Sequence, residues 1–198
     1  MALLALGAGA ARAEAQAPDV LIKQVSTEVL DAVKADKSIK AGDLQKIIAL
    51  VDAKVMPHVD FQRMTSSAVG RYWRQATPDQ QKRLQDEFKI LLVRTYSGAL
   101  SQVRDQTVQL KPMRGSANDP EVVVKTEIRG QGDPIQLDYR LEKSGDGWKI
   151  YDVNVLGVWL VENYRNSFAQ EIGANGIDGL IAKLAERNKS AAAGGTKS

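Results

Sequence analysis

The sequence predicts an α+β domain, with helices over one face of a curved antiparallel sheet of about four strands. Three observations carry this. Apolar residues recur at helical spacing from Ile22 to Val103, alternate one by one after Asp105, and return to helical spacing after Gly157.

Each element follows from local signals. Ile22, Val25, Val29 and Val33 mark a first helix, and Leu44, Ile47, Ile48, Val51 and Val55 a second, stopped by Pro57. A short helix from Asp60 carries Phe61, Met64 and Ala68 and ends before Gly70. Thr77-Pro78-Asp79-Gln80 supplies an N-cap, a proline at the first helical position and the glutamine of a capping box. Leu84, Phe88, Leu91, Leu92, Tyr96, Ala99, Leu100 and Val103 then hold one face of a helix of about 26 residues.

Four strands follow. The first runs from Thr107 to Lys111. In the second, Val122, Val124, Thr126 and Ile128 share one parity, and in the third Ile135, Leu137, Tyr139 and Leu141 do. Trp148 and Ile150 open the fourth. Gly130-Gln131-Gly132-Asp133-Pro134 and Ser144-Gly145-Asp146-Gly147 are turns, and such short connections imply an antiparallel meander. The fourth strand changes phase: Trp148 and Ile150 occupy one parity, Val153 and Val155 the other. A bulge, or cover on both faces, accounts for this. Val161, Tyr164, Phe168 and Ile172 mark one last-third helix. Ile177, Leu180, Ile181 and Leu184 mark another, beyond a break at Gly173-Ala174-Asn175-Gly176.

The chain of 198 residues fits a single domain over residues 18–188. Residues 1–17 are expected to be the remnant of a secretory signal. Leu3, Leu4 and Leu6 sit among alanines, and Ala11-Arg12-Ala13 and Ala13-Glu14-Ala15 have the small-x-small pattern of a cleavage site. Residues 189–198 read as a frayed, disordered tail. The later sequence has no apolar run long enough to span a membrane, so an exported, soluble protein is expected.

The search for chemistry is mostly negative. The chain has no cysteine, which excludes disulfides, thiolate nucleophiles and cysteine metal sites. Its one histidine, His58, follows Pro57 at a helix end. Ser97-Gly98 lacks the flanks of a nucleophile elbow, and Gly173, Gly176 and Gly179 separate helices rather than cradle a phosphate. No histidine–carboxylate cluster has metal spacing. Arg71-Tyr72-Trp73-Arg74 interleaves basic and aromatic residues, but a net charge of +3 and the lack of any binding motif argue against nucleic acid. Asp152 is the one carboxylate in an apolar strand. It either bonds nearby backbone or Arg165, or acts with Tyr151 as the acid–base pair of an isomerase or dehydratase. The positive signal is an abundance of large apolar residues, which periodicity alone cannot divide between a filled core and a lined cavity.

Longer motifs carry more. GRYWRQATPDQQKRLQDEFKILLVRTYSGAL from Gly70 resembles the central helix of the MlaC family, the phospholipid-binding, toluene-tolerance auxiliary components of an ABC transporter. GWKIYDVNVLGVWLVENYRNSFAQEI from Gly147 resembles the family's Trp-Lys-x-Tyr-Asp-Val strand and Asn-Tyr-Arg helix. GIDGLIAKL from Gly176 resembles its C-terminal helix, and DFQRMTSSAVGRYW also fits. Val158-Trp159 is a local departure, standing where smaller residues are common.

The resemblance implies an NTF2-like fold, a periplasmic location and a phospholipid held as cargo, with no cofactor, no metal and no catalytic residue. It also implies two partners, an inner-membrane ABC transporter with an MCE-domain subunit and an outer-membrane lipoprotein complex, in a system that maintains outer-membrane lipid asymmetry. Burying acyl chains is worth ~0.8 kcal/mol per methylene, on the order of 20 kcal/mol gross for two chains. A bilayer offers nearly as much, so a carrier must enclose most of both, in roughly 1,000 Å³. The sheet wall is expected to be Val124, Ile128, Ile135, Leu137, Tyr139 and Ile150, and the helix wall Phe88, Leu92, Tyr96, Leu100, Val161 and Tyr164. The charged head should stay at the mouth, near water. A protein-binding adaptor would instead have a solid core.

Overall fold

The computed structural model describes residues 16–194 except 114, 117, 118 and 146. Helix α1 (Pro18–Ala35) has proline in its first turn and two buried stretches along its length. Leu21, Ile22 and Val25 pack on the sheet, while Leu30 and Val33 pack among the helices that follow. Asp36 ends α1 and caps α2 (Lys37–Lys40), accepting the Ser38 N–H at 2.7 Å. Asp43 caps α3 (Leu44–Lys54) in the same way. Pro57 sits in a 3₁₀ turn, Met56–His58, and Asp60 caps α4 (Phe61–Val69). A second 3₁₀ turn, Gly70–Gln75, turns Tyr72 and Trp73 onto the helical core.

Helix α5 (Pro78–Ser101) begins with the expected capping box. Thr77 Oγ1 accepts the Gln80 N–H at 3.2 Å, and Gln80 accepts the Thr77 N–H at 3.0 Å. Thr77→Ala is expected to destabilise the fold by about 1 kcal/mol in urea unfolding, with an unchanged m-value.

Among the described residues, the sheet has five strands in the order β1-β2-β3-β4-β5, each antiparallel to its neighbour. They are β1 (Thr107–Leu110), β2 (Glu121–Arg129), β3 (Ile135–Ser144), β4 (Gly147–Val155) and β5 (Val158–Trp159). The fifth, which sequence periodicity does not reveal, exists because Leu156-Gly157 makes a two-residue turn and sends the chain back along β4.

Register explains the phase change in β4. Leu141 pairs with Ile150 but Arg140 with Asp152, leaving Tyr151 as the extra residue of a bulge. Cross-strand partners share a face. Val122, Val124 and Thr126 of β2 therefore lie beside Leu141, Tyr139 and Leu137 of β3. Those in turn lie beside Ile150, Val153 and Val155 of β4. The bulge keeps one face apolar across both halves of the strand.

Helix α6 (Leu160–Gly194) is broken at Gly176, whose φ of 72° is left-handed. The expected break thus falls on one glycine, and the helical conformation resumes beyond it. α6 runs on through residues 189–194, inside the stretch expected to be a tail. Residues 1–15, which hold most of the proposed signal remnant, and residues 195–198 lie outside the described residues.

Among the described residues, apolar side chains gather in three clusters. The helical one joins Met64, Leu84, Phe88, Leu91, Val161, Tyr164 and Phe168 with Leu180, Ile181 and Leu184 from beyond the α6 break. The sheet cluster sets Leu21, Ile22 and Val25 against Val122, Val124, Leu141, Trp148 and Ile150. The third joins Leu30, Val33, Ile39, Ile47, Val93 and Val103. Val59 and Val153 border both the helical and the sheet cluster, so those two meet there.

Candidate functional site

The twelve residues expected to line a cavity fall into a pattern. Phe88, Val161 and Tyr164 are buried in the helical cluster and Leu92 packs on it. Val124 and Ile150 are buried in the sheet cluster and Tyr139 packs on it, while Leu100 packs on the third cluster. Tyr96, Ile128, Ile135 and Leu137 belong to none of the three. All four are half-buried or exposed, and Ile128, Ile135 and Leu137 are on the apolar face that carries Tyr139. Beyond the clusters, this sheet face thus carries an apolar, incompletely covered seam.

Three hydroxyl groups punctuate it. Burial pushes the Tyr139 phenol up, and hydrogen bonding to Ser26 of α1 and Thr126 of β2 pulls it back. Thr126 is buried and donates its own hydroxyl to the Leu137 carbonyl at 2.9 Å. Burial, and then the nearby Tyr164, raises the Tyr96 phenol. Uncharged hydroxyls suit an apolar occupant, since no charge must be desolvated.

One groove opens at the joint between the helical and sheet clusters. It has a volume of about 310 Å³ and is lined by Val59, Phe61, Gln62, Gln85 and Lys149 among others. It is smaller than the roughly 1,000 Å³ expected for two acyl chains, and none of the twelve expected residues lines it. Lys149 donates its ammonium to the Pro57 carbonyl at the same place.

Asp152 is committed to structure. It is 1 % exposed. Its carboxylate accepts the Val153 and Val161 N–H groups at 2.9 and 3.1 Å and the Arg140 guanidinium at 3.0 Å. Arg140, not Arg165, is its partner. Register places Arg140 directly across from Asp152, while Arg165 donates to the Ser67 carbonyl. Burial raises the Asp152 carboxyl, and the two backbone donors and Arg140 oppose the shift. The other half of the postulated acid–base pair, Tyr151, donates to Glu121 at 3.1 Å beneath the stacked Arg63 guanidinium. The bulge puts both residues on the sheet face opposite the seam.

Sequence reasoning missed two contributors. The Arg140 guanidinium lies 3.9 Å from the centre of the Trp159 ring and ties β3 to β5, a pairing visible only once register is known. The other is the Leu156-Gly157 turn that adds β5, for which a Leu-Gly pair between two valine-containing runs was the available signal. Among the described residues, no group of His, Cys, Asp and Glu could hold a metal, and no helix is long and apolar enough to cross a membrane.

Comparison with known proteins agrees with this architecture. The family model described as MlaC protein matches residues 23–186. The toluene tolerance protein ttg2D of Pseudomonas putida is 27% identical, covering 89% of this chain and 86% of that protein. The intermembrane phospholipid transport system binding protein MlaC of Haemophilus influenzae is 24% identical, covering 84% and 80%. A solved structure, the phospholipid-binding protein from Ralstonia solanacearum in complex with a phospholipid, is 49% identical and superposes with a TM-score of 0.86. It covers 90% of this chain and 99% of that one.

Proposed function

Because the chain belongs to the MlaC family, we propose that it is a periplasmic phospholipid carrier that holds its cargo's acyl chains in the seam and performs no chemistry on them. The observation that carries this reading is the apolar sheet face left outside the three clusters, in a chain 49% identical to a protein solved with a phospholipid.

The tails lie against Ile128, Ile135, Leu137 and Tyr139 on the sheet side and Leu92, Tyr96, Leu100, Val161 and Tyr164 on the helix side. Phe88, Val124 and Ile150 back these surfaces from within their clusters. Energetics argue against a cavity held open in the seam. A standing void costs about 24 cal/mol per Å³, so roughly 1,000 Å³ of it would cost more than the ~5–15 kcal/mol that holds a domain folded. The layers therefore pack on one another, and the tails part them. Gross burial of the tails, on the order of 20 kcal/mol, offsets the cost of separating the two layers.

The protein shuttles its cargo between an outer-membrane lipoprotein complex and an inner-membrane ABC transporter with an MCE-domain subunit, and the exchange sustains lipid asymmetry of the outer membrane. An enzymatic reading finds no support in Asp152, whose oxygens are engaged by backbone and Arg140 on the face away from the seam.

Organic extraction and mass spectrometry of the purified protein tests the proposal. One phospholipid per chain is expected, and protein that neither carries lipid nor takes it from vesicles contradicts it. Leu137→Arg places a charge in the seam at a half-buried position. It is expected to cut retained lipid at least about tenfold, since desolvating an unpaired charge costs several kcal/mol, while the melting temperature changes little.

A further inference from the structure

We propose that the tip of the β4–β5 hairpin, led by Leu156, is the lip over which a phospholipid's acyl chains pass during loading and unloading; this rests on the carrier reading above. Two positive φ angles, 52° at Leu156 and 92° at Gly157, define the turn between the Val155↔Val158 pair. That type I′ geometry favours Asn-Gly. A leucine at its first position is strained, because its Cβ crowds the backbone in the left-handed region.

Leu156 gains nothing from burial in return. It is 65% exposed, with Val158 at 48% and Ile135 at 38%. The conformation is nevertheless held on three sides. The Leu156 N–H donates to the Gln136 carbonyl at 3.1 Å, which sets the tip beside Ile135. The Gly157 N–H donates to Asn154 Oδ1 at 2.8 Å, and Arg140 stacks on Trp159 of β5. A strained, exposed apolar residue braced in place is a feature that folding alone does not favour.

Continuity identifies what covers it. Along β3, Leu141, Tyr139, Leu137 and Ile135 share one face, passing from fully buried to exposed, and Val155 pairs with Leu137 one residue before the tip. The apolar track thus runs from the sheet cluster along Tyr139, Leu137 and Val155 to the hairpin whose tip is Leu156. An acyl chain sliding along it always has apolar surface beneath it. The lip shelters methylenes that would otherwise meet water between bilayer and seam, so it acts on rate in both directions and not on final occupancy.

The test uses the full chain, phosphatidylcholine donor vesicles carrying a fluorescent phospholipid, and unlabelled acceptor vesicles. Leu156→Asn suits the turn. It is expected to slow loading and unloading alike by about tenfold, the effect of leaving one or two methylenes in water at the barrier. Lipid per chain at equilibrium should be unchanged and the melting temperature not lowered. Leu156→Gly should behave likewise, which separates the lip from any folding effect. Unchanged rates overturn the proposal, and so does slower loading with unchanged unloading, which would make Leu156 part of the holding surface. If the unaltered protein takes up no lipid, the carrier reading fails first and the lip with it.

Discussion

Phe88→Ala is expected to lower the unfolding free energy by about 3–5 kcal/mol, the usual result of emptying a fully buried aromatic site. Phe88 is 0% exposed, and its ring centre lies 5.0 Å from Tyr164, 5.2 Å from Phe168 and 5.9 Å from Phe61. Two of these pairs are edge-on, the favoured aromatic arrangement. The four rings join α4, α5 and α6, so a gap at Phe88 loosens three helices at once. Urea unfolding measures the change. A loss below about 1 kcal/mol would mean that the helical cluster can collapse around the gap, and so is softer than its packing indicates.

The second large effect lies at Asp152. Asp152→Ala leaves the Val153 and Val161 N–H groups without an acceptor and Arg140 without its closest partner, at an expected cost of about 2–4 kcal/mol. Arg140 is partly exposed and keeps Glu162 at 3.7 Å and the Trp159 ring, which limits the loss. Asp152→Asn keeps an oxygen for the backbone donors and should lose about half as much.

The pH dependence has a definite sign. Burial raises the Asp152 carboxyl in the folded state, so its contribution to stability is full below the unfolded carboxylate range and declines as pH rises through the folded value. The deficit of Asp152→Asn should therefore narrow as pH rises through that window. Glu121 behaves oppositely. A hydrogen bond from Arg63, backed by Tyr151, lowers it, so its contribution is present above the unfolded value and lost as pH falls through the folded one. Denaturant titrations of parent and variant across this range measure both.

Much of the fold was legible because the local signals agree with one another. Thr77-Pro78-Asp79-Gln80 states where α5 begins, and the capping box forms as those residue types require. The parity change between Ile150 and Val153 announces a bulge, and the bulge lies there. The fifth strand was hidden because Leu-Gly is a poor advertisement for a type I′ turn, where asparagine would have signalled it. The partner of Asp152 was hidden for a related reason: sequence proximity favoured Arg165, whereas the bulge sets the register that brings Arg140 across.

The candidate site was only half legible. Alternation assigns Val124 and Ile128 to one face of β2, and it is right about that face. It says nothing of how closely the opposing layer approaches. Val124 is covered by α1, and Ile128, four residues on, belongs to no cluster. That difference depends on where α1 crosses the sheet, a tertiary fact that periodicity does not carry.

The most direct measurement is photo-crosslinking with a phospholipid bearing a diazirine at the end of one acyl chain, followed by peptide mapping. Label on peptides containing Tyr96, Ile128 or the Ile135–Tyr139 stretch is the expected result. Label concentrated on Phe168, Leu180 and Ile181 inside the helical cluster, or spread over the sheet face that carries Asp152, would contradict a seam that parts to receive the tails.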